Sequence, residues 1–203
     1  LILSSRNEAQ LEEVKLQCAY PENVAIVPLD LEKYETSVEK VREAMACFGA
    51  IDILINNGGV SQRSFAIDTD LDVDKKIMDT NYFGTIALTK ALLPHFIDKK
   101  QGHIVVISSI VGKIGTPRRS TYAASKHALH GFFDSLRAEQ YQNNIKVTLA
   151  CPGYVKTKVS INALTGDGTP QNNMDKTTAR GLSSTYFAQR LIRAVEKDKE
   201  EVY

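Results

Sequence analysis

The sequence predicts an α/β fold, a single domain built on a doubly wound parallel sheet, and three observations lead there. Short β-branched runs alternate with amphipathic stretches of helical period, which implies parallel strands joined by right-handed crossovers. At 203 residues the chain is long enough for one well-buried core and short for two. No internal repeat or linker divides it.

Leu1-Ile2-Leu3-Ser4 reads as a strand. Asn7 is placed to cap the next helix with Gln10 completing a capping box, and Leu11, Val14 and Cys18 form that helix's apolar face. Val24 to Pro28 is the second strand, bounded by Pro21 and Asp30. Thr36 and Glu39 make a second capping box. The helix after it points Val38, Val41, Met45 and Phe48 inward and stops at Gly49, which can take a left-handed turn at little cost. Ile51 to Ile55 is a strand, and a long helix then runs from Val73 to Phe96 with Pro94 near its end. The β-branched run from His103 to Ser108 is a buried strand that delivers Ser109. The helix containing Tyr122 continues to about Tyr141, and Ile145 to Ala150 is another strand. Residues 160–184 are rich in Gly, Thr, Asn and Asp and lack a period, so a mobile loop or short helices are expected. A last helix, Thr185 to about Lys197, leads to the start of a strand at Glu201-Val202-Tyr203.

Composition removes several function classes. Lys and Arg number 25 against 24 Asp and Glu, and they are scattered, so there is no nucleic-acid footprint and no basic block for an anionic membrane. No apolar run reaches the 18 residues of a membrane span, and no signal-peptide pattern occurs in these residues. Cys18, Cys47 and Cys151 are odd in number and lack metal-ligand spacing. They read as small buried thiols in a reducing or thiol-tolerant compartment, and no metal site is expected.

The chemistry concentrates at Tyr122-Ala123-Ala124-Ser125-Lys126. Spacing of i, i+4 on a helix stacks the phenol and the ammonium on one face. A free tyrosine holds its proton to about pH 10, and a fixed neighbouring cation lowers that value toward the range useful for acid/base work. Ser109 falls at the carboxyl end of a strand, where open α/β sheets bind ligands, and is placed to hold a substrate oxygen opposite Tyr122. Alone, a Tyr and a Lys at this spacing are an ordinary helix face, and Ser108-Ser109 an ordinary cap or turn. The combination carries the reading.

Ser109 thirteen residues before Tyr122, the Tyr-x-x-x-Lys pair, Asn56-Asn57-Gly58-Gly59, Asn81-Tyr82-Phe83-Gly84 and Pro152-Gly153-Tyr154-Val155-Lys156-Thr157 together resemble the short-chain dehydrogenase/reductases over the whole chain. Asn81 to Thr85, Leu88 to Pro94 and Asn162 to Thr165 look most like the branch of dehydrogenase/reductase member 7 and its 7B-like relatives. The resemblance implies a Rossmann-type sheet ordered 3-2-1-4-5-6. No Gly-x-Gly-x-x-Gly or similar cluster occurs before residue 49, so the chain lacks the family's first strand and glycine-rich turn and begins at the second strand. The missing strand is central, and its absence would leave two open edges and an apolar groove. Residues 1–203 are therefore expected to be one domain cut at both ends from a longer protein.

Arg6 follows the first strand by two residues, where a guanidinium meets the 2′-phosphate of NADP(H); Ser5 and Asn7 can add hydrogen bonds. By resemblance, Asp30 and Leu31 flank the adenine. Asn57, Gly58 and Gly59 pass the ribose, their glycines allowing a sharp turn, and Pro152-Gly153 redirects the chain. Val155 and Thr157 match positions that hold the nicotinamide amide and the pyrophosphate. The resemblance also implies that Tyr122 and Lys126 contact the cofactor, that Lys126 binds ribose and lowers the Tyr122 pKa, and that Asn81 opens its helix so that its carbonyl holds a water linking Lys126 to solvent.

The expected function is NADP(H)-dependent interconversion of a carbonyl and an alcohol on a small apolar or lipid-like molecule. Tyr122 is then the proton donor or acceptor and Ser109 positions the oxygen. The alternatives are a non-catalytic dinucleotide-binding sensor or scaffold of the same fold, and an inactive fragment. The loop from Val159 to Thr185, with Ile161, Leu164 and Met174 inside it and Leu182 and Tyr186 at its end, is expected to close an apolar pocket. The resemblance further implies a homodimer or homotetramer. It implies the endoplasmic reticulum membrane as location if an anchor precedes these residues, and the cytoplasm otherwise.

Overall fold

The computed structural model describes residues 1–203. Strand β1 (Ile2–Leu3), helix α1 (Glu8–Leu16) and strand β2 (Ala25–Ile26) are followed by α2 (Ser37–Phe48) and β3 (Ile53–Asn56). Helix α3 (Leu71–Met78) passes through a π-helical turn at Asp79–Phe83 into α4 (Gly84–Lys99). Then come β4 (Gly102–Ile107), α5 (Ser120–Glu139), β5 (Ile145–Ala150), β6 (Val155–Lys156), α6 (Lys176–Ala179), β7 (Leu182–Ser183), α7 (Ser184–Glu196) and β8 (Glu201–Val202). The main sheet is parallel throughout and ordered β3-β4-β5-β8, with Ile53 beside His103, Gly102 beside Ile145 and Leu149 beside Glu201. Strands β1 and β2 form a separate parallel pair, as do β6 and β7.

The sheet is doubly wound because β4 is apolar on both faces, as a strand covered on both sides must be. On one face Ile104 and Val106 pack with Leu92 and Phe96 of α4 and Leu129, Phe133 and Leu136 of α5. On the other, Val105 and Ala150 pack with Phe187 and Leu191 of α7. These contacts set the height and tilt of α5 against the strand ends. No helix is long and apolar enough to cross a membrane.

Between β1 and β3 lies a cavity of about 800 Å³, bordered by Ile2 and Val27 on one side and Ile53, Ile55, Leu88 and Leu92 on the other. Ile53 and Ile55 are 48% and 54% exposed although they belong to a strand. This is the groove anticipated from the strand order, and it changes the helix beside it. On α2, Val41 and Met45 reach the core, but Phe48 opens onto the groove and is half exposed, and Val38 is exposed beside Tyr34 and Phe83. Four inward positions were expected and two are found, since no side chain of residues 1–203 covers the others.

Local expectations also divide. Asn7 caps α1, its Oδ1 accepting from Gln10 N at 3.1 Å, but the Asn7 N–H donates to Ser5 Oγ instead of completing a box with the Gln10 side chain. Val14 is exposed and Cys18 half-buried, so Leu11 alone of that face is buried. Thr36 does not cap α2: it lies in a 3₁₀ turn and its hydroxyl donates to Lys33 O at 2.8 Å. Gly49 ends α2 in the left-handed region at φ 76° as expected. Of the three thiols Cys151 is buried, Cys18 half-buried and Cys47 exposed. Residues 160–184 are docked rather than loose. Leu164 bridges Gln62 and Pro170 and packs on Val73 and Ile77, while Ser160 and Ala163 are fully buried. Backbone pairing supplies there the order that the missing period did not announce.

Gly84 and Gly131 test this packing in opposite directions. A Cβ on Gly84 would lie 2.3 Å from the carbonyl oxygen of Leu31, whereas one on Gly131 meets nothing within 4 Å. Gly84→Ala is expected to destabilise by about 1–3 kcal/mol through overpacking, and Gly131→Ala to stabilise by about 0.5–1 kcal/mol through helix entropy. Urea denaturation of both variants measures the contrast.

Candidate active site

Strands β3, β4 and β5 end side by side, with Asn56 beside Val106 and Ile107 beside Ala150. Three loops leave from there: 57–60, 108–112 and 151–153. The first turn of α5 brings Tyr122 over them, and one turn later Lys126 enters from the same face. Lys126 is 5% exposed and its ammonium donates to Ile107 O at 2.8 Å. It stands 5.8 Å from the centre of the Tyr122 ring. Burial without a carboxylate partner pulls its pKa down to about 8.

Tyr122 departs from the sequence expectation. Its pKa is raised, first by loss of solvation; hydrogen bonding with Ser109 and then the charges of Arg119 and Arg63 act in the lowering direction and do not overcome it. The Lys126 ammonium is hydrogen-bonded to the Ile107 carbonyl and not to the phenol.

Ser109 and Ser108 face opposite ways, as neighbours in extended chain do. Ser108 turns inward to His130 Nε2 at 3.0 Å. Ser109 Oγ accepts from Val111 N at 3.2 Å, reaches Pro152 O at 3.5 Å and acts on the Tyr122 phenol.

Asn81 is fully buried in the π-helical turn between α3 and α4. Its Oδ1 accepts from Val60 N at 2.8 Å, and its Nδ2 donates to Val60 O at 2.9 Å and to Ser125 Oγ at 3.0 Å. The helix does open here, as expected. Its backbone carbonyl accepts from Thr85 Oγ1 at 2.9 Å. The side-chain clamp between the 57–60 loop and α5 was not anticipated.

Ser5, Arg6, Asp30, Leu31, Asn57, Gly58 and Gly59 border the cavity between β1 and β3 at the strand ends. A nicotinamide dinucleotide fits this donor set: hydroxyl, guanidinium and amide groups on one side, and the Lys126 ammonium 3.6 Å from where a Gly59 Cβ would stand. Several details differ from expectation. Arg6 pairs with Glu32 at 3.2 Å. Asn7 is spent on its cap. Asp30 Oδ1 accepts from Glu32 N. Gly58 and Gly59 do not take positive φ; they are needed for closeness, since a Cβ would come within 2.5 Å of Leu31 Cδ1 at Gly58 and 3.0 Å of Asn81 Oδ1 at Gly59.

Pro152 joins the site through Ser109 and through Ile110 N, while Gly153 has open space where a side chain would be. The Val155 side chain packs into the α7 side of the core, and Thr157 Oγ1 accepts from Val159 N at 3.3 Å. Leu164, expected in a pocket wall, is turned into the core. Sequence reasoning missed Arg63 and Arg119. Their available signal was position alone, four residues past Gly59 and three before Tyr122.

Residues 1–167 match the family described as short chain dehydrogenase. The chain belongs to that family. Dehydrogenase/reductase SDR family member 7B of Mus musculus is 48% identical over 207 residues, which cover 100% of this chain and 64% of the relative. The family protein 7-like of Anopheles gambiae is 46% identical over 208 residues, covering 100% and 66%. These matches put the chain in the member 7 branch of the short-chain dehydrogenases, and it spans less than two thirds of the length of the mouse relative. Among solved structures, ElxO with NADP bound aligns at a TM-score of 0.73 and 30% identity over 77% of this chain and 64% of its own. A short-chain dehydrogenase/reductase from Burkholderia phymatum in complex with NAD reaches 0.86 at 21% identity over 100% and 78%, and shows the shared fold.

Lys126 also sets a pH dependence. Its pKa falls from 10.5 to about 8 on folding, so between those values the unfolded chain holds more protons and stability rises with pH. The full cost of the buried charge is present below about pH 8. Relative to Lys126→Met, which has no charge to bury, the wild type should gain about 3 kcal/mol between pH 8 and 10.5. Parallel urea titrations measure this; a difference that stays flat contradicts a buried ammonium.

Proposed function

We propose that this chain carries the hydride-transfer site of an NADP(H)-dependent oxidoreductase that interconverts a carbonyl and an alcohol. The observation that supports it most is Lys126. A buried ammonium held by one main-chain carbonyl is costly, and nothing in the packing requires it, so a functional use explains what stability does not. NADPH, when bound, supplies the hydride to the carbonyl carbon and leaves as NADP⁺.

The chain's own groups handle the oxygen. Tyr122 gives its proton to the carbonyl oxygen as charge develops there, Ser109 donates a hydrogen bond to the same oxygen, and solvent restores the phenol proton. A raised Tyr122 pKa keeps the phenol protonated near neutral pH, as a proton donor to the carbonyl oxygen must be. Lys126 offers its ammonium to the ribose hydroxyls, and Asn81 holds the Gly59–Val60 wall against α5.

Arg6 supports NADP(H) over NAD(H). Its partner Glu32 is no obstacle, because an exposed pair of this kind is worth about 0–1 kcal/mol and a phosphate dianion competes easily. Solved neighbours bind NADP or NAD, so the preference rests on Arg6. Ile110, Tyr154, Val159, Leu182 and Tyr186 are each 38–48% exposed on the segments that follow Ser109 and Pro152. They supply an apolar rim for a small apolar or lipid-like carbonyl compound.

In the full-length protein, Tyr122→Phe is expected to lower kcat by about 10²–10⁴-fold while NADPH binding changes by no more than about twofold. Nucleotide fluorescence reports binding directly, since the chain has no tryptophan. Loss of NADPH absorbance with 4-nitrobenzaldehyde, a long-chain ketone and a steroid ketone as probes reports turnover. Turnover of the Phe variant at the wild-type rate, or NADPH binding without oxidation by any probe, excludes the proposal.

A further inference from the structure

The first turn of a helix leaves backbone N–H groups without partners, and a side chain at the cap position usually takes them. Helix α5 has no such cap: Arg119 precedes it and makes no capping hydrogen bond. The Ala123 N–H is satisfied by Arg119 O, which leaves those of Thr121 and Tyr122 in need of an acceptor. It comes from far along the chain. Gln62, fully buried, places its Oε1 2.9 Å from Thr121 N and 3.3 Å from Tyr122 N.

The orientation of this amide is fixed from both ends. Its oxygen faces two N–H donors, and its Nε2 faces the hydroxyls of Thr69 at 3.1 Å, Ser64 at 3.4 Å and Ser120 at 3.4 Å. The backbone of Gln62 is held with equal care. Arg63 N donates to Leu164 O and Leu164 N to Ser61 O, both at 2.8 Å. The Arg63 side chain reaches the other way, to Asp175 at 2.6 Å, and Val60 is gripped on both its backbone groups by Asn81. Residues 60–63 thus touch Asn81, the docked 160–175 segment and the turn that carries Tyr122.

We propose that Gln62 is a positioning residue for Tyr122, substituting for the missing helix cap and tying the phenol's placement to the docking of the 160–175 segment. The proposal rests on the catalytic reading of Tyr122 above. Gln62 reaches neither substrate nor cofactor in this role; it acts through the backbone of the residue that does. A displacement of about 1 Å at a reacting group costs on the order of 10²-fold in rate, so the hydrogen bond to the Tyr122 N–H is felt at its hydroxyl.

The test compares Gln62→Leu, which keeps the shape and removes the acceptor, with Gln62→Glu, which keeps an acceptor toward the two N–H groups and can take a hydrogen bond from the Ser120 hydroxyl, Thr69 being committed to Phe65 O and Ser64 to Thr69. In the full-length protein, Gln62→Leu is expected to lower kcat per NADPH-binding site by about 10- to 100-fold, with NADPH affinity within about twofold. Gln62→Glu is expected to stay within about threefold of wild type. Amide hydrogen exchange gives a readout independent of turnover: the Thr121 and Tyr122 amides should exchange about tenfold faster or more in the Leu variant and stay protected in the Glu variant. Should Leu prevent folding, Gln62→Asn, one methylene too short to reach Thr121 N, replaces it with the same expectations. Unchanged kcat and unchanged protection in the Leu or Asn variant overturn the proposal, as does a Glu variant as impaired as Leu. If Tyr122→Phe is inactive while Gln62→Leu is normal, this inference alone fails. If Tyr122→Phe is fully active, the catalytic reading beneath it fails.

Discussion

An ammonium inside a protein needs either a carboxylate or a reason, and Lys126 has only the carbonyl of Ile107 at 2.8 Å. That contact exists because α5 is pressed onto the sheet by Leu129, Phe133 and Leu136, which pack against Ile104 and Val106. The apolar face of α5 fixes its axis, and its axis delivers Lys126 to the last residue of β4. The core fixes the buried position, gaining about 1.5–3 kcal/mol from each of those large side chains, which is far more than one lysine costs, but it does not require that a charged residue stand there. The same geometry puts Tyr122 over Ser109, two residues beyond the strand's end.

The short segment after Gly59 holds this arrangement together from the side. Its residues alternate as in a strand, so Gln62 looks toward α5 while Arg63 looks toward Asp175. The site is thus walled by three pieces of chain far apart in sequence, and each wall is attached to another by buried hydrogen bonds. Buried polar contacts of this type contribute modestly when complete and cost several times more when one partner is lost.

The groove between β1 and β3 shows the opposite situation, with apolar strand residues half exposed and Phe48 of α2 turned toward open space. At its polar end the glycines of the 57–60 loop make room for Leu31 and for Asn81 rather than for unusual backbone angles. Close approach between loops is what shapes the nucleotide side of the site.

Strong local patterns were legible in the sequence itself. Ile145 to Ala150 was read as a strand with the bounds the structure shows, Gly49 as a left-handed helix end, and Ser109, Tyr122 and Lys126 as one constellation. Alternation, helical period and the steric demands of glycine are properties of neighbouring residues, so the order of residues determines them. The tertiary structure decided the rest. It turned Val38 and Phe48 outward, docked residues 160–184, set Arg6 against Glu32, raised rather than lowered the Tyr122 pKa, and brought Gln62 to a helix end 59 and 60 residues away. A period reports which side of an element is apolar but not what lies opposite it, and a pKa sums burial and charge from every element packed around one group.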